Sequence, residues 1–128
     1  MTRIAMVVSD VDGTLLTKDK TLTERTIAAA QRLDQAGVGF TIISSRPTFG
    51  MRFLIEPLQI KLPVGAFNGS SIVDPRMNPI EQHFLSAAAT KRSLDTLNEF
   101  GIDIWLFTNE HWFTRNASGE YVSHEKHT

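Results

Sequence analysis

The chain has 128 residues, 41% of them hydrophobic, with 13 Lys and Arg against 14 Asp and Glu and no cysteine. That length can bury one core, while a net charge of -1 gives no electrostatic reason to expect nucleic acid or an anionic membrane as a partner. The composition excludes disulfides and thiolate metal sites, and no apolar run approaches the roughly 18 residues of a membrane span.

The first expected element is a strand over 4–8, apolar at every position, the pattern of a strand covered on both faces inside a parallel sheet. Met1-Thr2-Arg3 and this run are too short for a secretory signal, so the cytoplasm is the expected location. The strand leads into Asp10-Val11-Asp12-Gly13-Thr14. Residues i and i+2 of an extended segment share a side, so Asp10 and Asp12 can converge while Val11 turns to the core. Gly13 permits a sharp exit, and Thr14 offers a hydroxyl to fix the turn. Two carboxylates this close repel, which raises one pKa unless a cation intervenes. One can then act as nucleophile and the other as acid and base, with a hard divalent ion shielding the attack on phosphate. The tetrapeptide alone also fits a solvated turn.

From Leu22 the sequence reads as a helix, with Thr23 as N-cap, Leu22 and Ile27 at the staple positions and Gly37 at the stop. A short apolar strand over 38–43 ends in Ser44-Ser45-Arg46-Pro47, and Pro47 suits the first turn of a second helix. Met51, Leu54, Ile55 and Leu58 give that helix an apolar face, and Pro57 ends it near Glu56. A third strand, 63–67, runs into Asn68-Gly69, which by itself reads as a turn. Strand–helix–strand–helix–strand order implies an α/β, Rossmann-like parallel sheet. Ligands of such sheets bind beyond the carboxyl ends of the strands, the rim where Asp10, Ser44 and Asn68 fall.

A turn-rich link over 74–79 suggests a boundary, giving units 1–78 and 79–128. The second begins with a strand over 80–85, then a helix capped by Ser86, carrying Ala87, Leu94 and Leu97 and closed by Gly101. Strands over 102–107 and 111–114 follow, joined at Asn109-Glu110. Ile102, Ile104 and Leu106 alternate with Asp103, Trp105 and Phe107. The aliphatic side is expected on the helix, and Trp105 suits packing more than ligand contact. His124 and His127 lack a supporting ligand framework and read as solvated. Asn116-Ala117-Ser118 matches a glycosylation sequon with no expected use.

Asp10-Val11-Asp12-Gly13-Thr14-Leu15-Leu16 resembles the first motif of the haloacid dehalogenase-like superfamily, and the chain is most similar to its Cof-type branch (subfamily IIB). The resemblance implies a Mg²⁺-dependent phosphatase acting through an aspartyl-phosphate on a small phosphorylated metabolite, such as a sugar phosphate. It makes Asp10 the nucleophile and a metal ligand. It makes Asp12 the general acid and base, with its backbone carbonyl on the metal. Ser44 stands at the second motif's hydroxyl, which bonds a phosphoryl oxygen. Ser45 occupies a position where Gly is usual. Arg46 matches the motif's Arg, either contacting substrate or bracing the loop. Gly13, Thr14 and Asn68 complete the expected substrate-binding set. Residues 79–128 resemble the opening of the α/β cap that Cof-type proteins insert between their second and third motifs.

In that family the chain returns after the cap to supply a Lys and an acidic motif, and neither has a counterpart here. The apolar first strand would then leave an open edge inviting self-association. The expectation is a truncated form, or a sheet completed by another polypeptide. Three readings follow: the phosphatase, an inactive piece retaining the fold and weak Mg²⁺ or phosphate binding, and a phospho-accepting signalling module.

Overall fold

The computed structural model describes residues 3–125. The elements run β1 (Met6–Ser9), α1 (Glu24–Gln35), β2 (Gly39–Ile42), a 3-10 turn (Thr48–Met51) leading into α2 (Arg52–Ile55), then β3 (Val64–Ala66). A second 3-10 turn (Phe67–Gly69) precedes β4 (Ser71–Val73) and β5 (Pro79–Gln82). The remainder is α3 (Ala87–Glu99), β6 (Trp105–Phe107), β7 (Trp112–Thr114) and α4 (Val122–Glu125). Two compact units result, Met1–Gln82 and His83–Thr128.

In the first unit β1 and β2 pair in parallel, from Met6 opposite Gly39 to Ser9 opposite Ile42. The crossover between them is α1. Thr23 caps it from an extended backbone by accepting the Thr26 N–H, and Gly37 leaves it at φ 68, the left-handed conformation that helix ends assign to glycine. The third strand joins through a single parallel bridge, Ile43 to Gly65. It then turns back into an antiparallel meander, β3–β4–β5. Val11, Ile42, Met51, Leu54, Val64 and Val73 are fully buried in this unit's core.

Three expectations change. The boundary at 78 moves to 82, because β5 pairs with β4, Ser71 opposite Gln82. The turn-rich link is therefore the β4–β5 loop, pinned by Asp74, which accepts the N–H groups of Arg76 and Asn78. The second helix opens as a 3-10 turn with Pro47 as its cap, and only 52–55 are α-helical, yet Met51, Leu54 and Leu58 still face the core. The strand read as covered on both faces is not covered. Among the described residues β1 pairs only with β2, and Ile4, Met6 and Val8 are 68%, 53% and 50% exposed.

In the second unit Ser86 caps α3 by accepting the Ala89 N–H, and Gly101 follows its end at φ 62. β6 and β7 form a hairpin with Leu106 opposite Phe113. Leu94 of α3 lines an open depression of about 200 Å³ together with Ile104, Leu106 and Phe113 of the hairpin side. On the other side Trp105 meets Trp112 edge-on at 5.0 Å, and Phe107 stacks on Trp112 at 5.8 Å. Trp105 is thus a packing residue here. His124 lies in α4, and His127 lies outside the described residues.

Candidate active site

The site assembles from three strand ends. After β1 the chain winds tightly about one carbonyl: Val11 O accepts the N–H groups of Thr14, Leu15 and Leu16 at 3.3, 3.0 and 3.0 Å. Gly13 makes this possible at φ 74, and a Cβ there would meet nothing within 4 Å. The need for glycine is therefore conformational, not steric. The winding buries Val11 and leaves Asp10 exposed and Asp12 half-buried. Thr14 Oγ1 donates to Asp10 Oδ2 at 3.1 Å, the turn-fixing contact the sequence suggests.

The β2 end brings Ser44, Ser45 and Arg46. Ser44 is buried; its Oγ accepts the Arg46 N–H at 3.2 Å, leaving its own proton to donate. Ser45 is exposed. The loop is tied to the β3 end by the Ser44 N–H on Gly65 O, the Asn68 N–H on Ser44 O at 2.7 Å and the Phe67 N–H on Arg46 O. Phe67 and Asn68 both have positive φ, 49° and 55°, a conformation Asn tolerates better than most residues. Asn68 itself is exposed.

Arg46 joins the first two ends. Its Nε donates to Asp12 Oδ2 at 2.7 Å and its Nη2 to Oδ1 at 2.8 Å. Its Nη1 donates to Gly50 O, and its guanidinium lies 5.5 Å over the Phe53 ring. Lys20 adds a second cation to Asp12 Oδ1 at 2.7 Å. Both cations compensate the charge of the Asp12 carboxylate. Arg46 hydrogen bonding, opposed by burial and aided by Lys20, holds the Asp12 carboxyl down at about 2. Sequence reasoning leaves Arg46 between two roles, and the structure shows its brace on Asp12 and Gly50. It missed Lys20, whose contact depends on a turn conformation with no strong sequence signal.

Mg²⁺ prefers hard oxygens and keeps waters beside one or two carboxylates and a phosphate. The donor set is compatible with that. Asp10 offers a carboxylate with one oxygen engaged by Thr14 and the other uncommitted, and Asp12 offers its backbone carbonyl. The Asp12 side chain is already occupied by the two cations, and the described residues contain no cluster of three or more acidic, His or Cys groups. The chain thus supplies a partial ligand set.

A family model described as haloacid dehalogenase-like hydrolase matches residues 7–128. The chain belongs to this family. It is 32% identical over 102 residues to 5-amino-6-(5-phospho-D-ribitylamino)uracil phosphatase YwtE of Bacillus subtilis, covering 80% of this chain and 35% of that protein. It is 29% identical over 116 residues to an HMP-PP phosphatase of Yersinia pestis, covering 90% and 42%. A haloacid dehalogenase-like hydrolase from Bacteroides thetaiotaomicron superposes with TM-score 0.83 at 21% identity, covering 96% of this chain and 48% of that one. The chain therefore spans less than half the length of these relatives. Over the matched part the chain shares the α/β fold of these relatives. No helix among the described residues is long and apolar enough to cross a membrane.

Proposed function

We propose that the chain carries the phosphoryl-accepting part of a Mg²⁺-dependent phosphatase that hydrolyses a small phosphorylated metabolite, such as a sugar phosphate. The observation that supports this best is the ionic tie between Asp12 and Arg46, which joins the β1 and β2 ends beside the exposed Asp10. The phosphatase names of the relatives point the same way.

In this reading an Asp10 carboxylate oxygen attacks phosphorus, the ester P–O bond breaks, and the leaving oxygen takes a proton from Asp12. Water then attacks the aspartyl-phosphate, gives its proton to Asp12 and releases inorganic phosphate. Ser44 donates its hydroxyl proton to a phosphoryl oxygen, and Gly13, Thr14, Ser45 and Asn68 shape the surrounding loops. Mg²⁺, when held by the Asp10 carboxylate and the Asp12 carbonyl, supplies charge neutralisation between nucleophile and phosphate dianion. The resting pairing of Asp12 favours its base form, so the acid step requires that pairing to loosen.

The test is turnover of a panel of phosphate esters by the 128-residue chain with Mg²⁺, against Asp10→Asn. Turnover lost on substitution supports the phosphatase. A stable phospho-adduct without turnover supports the signalling reading instead, and the absence of both supports an inactive piece.

A further inference from the structure

The turn between β1 and α1 carries a cation in excess of what Asp12 requires. Residues 16–22 close as a small hairpin. Leu16 bridges Leu22, the Thr17 N–H donates to Thr21 O, and the Lys20 N–H donates to Thr17 O. Lys20 sits in this turn at φ 58, a left-handed conformation that a long side chain adopts only under local constraint. Its ammonium reaches Asp12 Oδ1, the oxygen that already accepts Arg46 Nη2.

The two cations are tethered differently. Arg46 is 5% exposed, bidentate on Asp12 and bound as well to the Gly50 carbonyl. It satisfies the carboxylate by itself. Lys20 is 36% exposed and makes no other side-chain hydrogen bond or ion pair among the described residues. It is a point charge on a flexible stem, carried on a short hairpin that borders the exposed Asp10 turn. A phosphate dianion is a stronger attractor for such a cation than a carboxylate whose charge Arg46 already compensates.

We propose that Lys20 is a phosphoryl-binding cation that rests on Asp12 Oδ1 in the free protein and transfers to a non-bridging phosphoryl oxygen when the ester arrives. The transfer leaves Asp12 held by Arg46 alone, which removes one of the two cations that oppose its protonation. No covalent bond changes in the transfer; one ionic hydrogen bond is exchanged for another. This rests on the phosphatase reading of the site. It makes substrate arrival and the loss of the Lys20 contact to Asp12 one event.

The experiment is calorimetric binding of orthovanadate, a phosphate-shaped oxyanion, to the full 128-residue chain in saturating Mg²⁺. The wild type is compared with Lys20→Met, Lys20→Gln and Lys20→Arg. Loss of one charge-assisted hydrogen bond predicts about a tenfold weaker dissociation constant for the Met and Gln variants. The Arg variant recovers most of the affinity. Mg²⁺ binding without the oxyanion does not fall in the Met and Gln variants, where a nearby cation is removed, and is unchanged in the Arg variant, which keeps it. Gln retains a hydrogen bond to Asp12, so equal losses in Met and Gln separate charge transfer from mere support of the turn. Unchanged orthovanadate affinity in the Met and Gln variants overturns the proposal and leaves the phosphatase reading intact. A wild type that binds no orthovanadate with Mg²⁺ overturns both.

Discussion

Arg46 grips both carboxylate oxygens of Asp12, at 2.7 Å through Nε and 2.8 Å through Nη2, from a position 34 residues later in the chain. The pair closes the gap between the ends of β1 and β2. A guanidinium fork matches a carboxylate in a way that an ammonium cannot, so Arg46→Lys should not restore it. Removing a nearly buried partner also strands the other charge. Arg46→Ala is expected to lower stability by about 2–3 kcal/mol and Arg46→Lys by about 1–2 kcal/mol, the low side because Asp12 keeps some solvent. Urea denaturation at neutral pH checks both.

The same pair makes stability depend on acid. The Asp12 carboxyl is held at about 2 against an ordinary 3.8, with Arg46 hydrogen bonding as the largest cause. A folded value below the unfolded one gives a contribution that is complete above the unfolded pKa and disappears as pH falls through the folded one. The advantage of wild type over Asp12→Asn should therefore be flat from pH 7 to about pH 5. It should shrink between about pH 4 and pH 2, by about 1 kcal/mol after allowing for solvent screening. Asp74, also lowered by its bonds to Asn78, is common to both proteins and cancels in the difference. Paired urea titrations at several pH values give the difference.

What the sequence made legible follows from how local the causes were. The α1 cap at Thr23, the exit at Gly37 and the α3 cap at Ser86 are decided within a few residues, and the structure places them as read. The Asp10–Thr14 contact is also local, closed by the turn at Gly13. The short β4 and α4 carry too few residues for a periodic pattern, and β5 reveals its partner only through pairing with β4. Lys20 reaches Asp12 because a non-glycine residue accepts positive φ, a choice set by the hairpin around it. The exposure of β1 has a related reason: an unbroken apolar run records what a strand is suited to touch, and only the fold shows what touches it.

That face has a measurable consequence. Met6 and Val8 of β1, and Ile4 just before it, are half or more exposed, and the strand is paired on one side only among the described residues. An apolar strand with an open edge is a template for another copy. Sedimentation of the 128-residue chain is expected to show mass rising with concentration. Val8→Lys, which sets a charge on the exposed row, is expected to suppress the rise. A wild type that stays monomeric at high concentration would remove the idea.

The contact between the β2 and β3 ends offers a sharper test, because it couples packing to the site. A Cβ built on Gly65 would fall 2.9 Å from Ile43 Cγ1 and 3.3 Å from Cδ1, closer than carbon atoms tolerate, and Ile43 is stiff at χ1. Gly65→Ala should cost about 1–3 kcal/mol by overpacking. Ile43→Val keeps a γ-carbon at the clash and should not relieve it, whereas Ile43→Ala clears the space. The Gly65→Ala, Ile43→Ala pair should therefore be more stable than the sum of its singles by about 1 kcal/mol. Gly65 O also accepts the Ser44 N–H, and Ser44 O the Asn68 N–H. The strain in Gly65→Ala should thus reach the loop that carries Ser44 and weaken orthovanadate binding, with recovery in the double variant. Denaturation and calorimetry on the same four proteins test the two claims separately, and affinity that ignores the clash would show that the β3 end does not position Ser44.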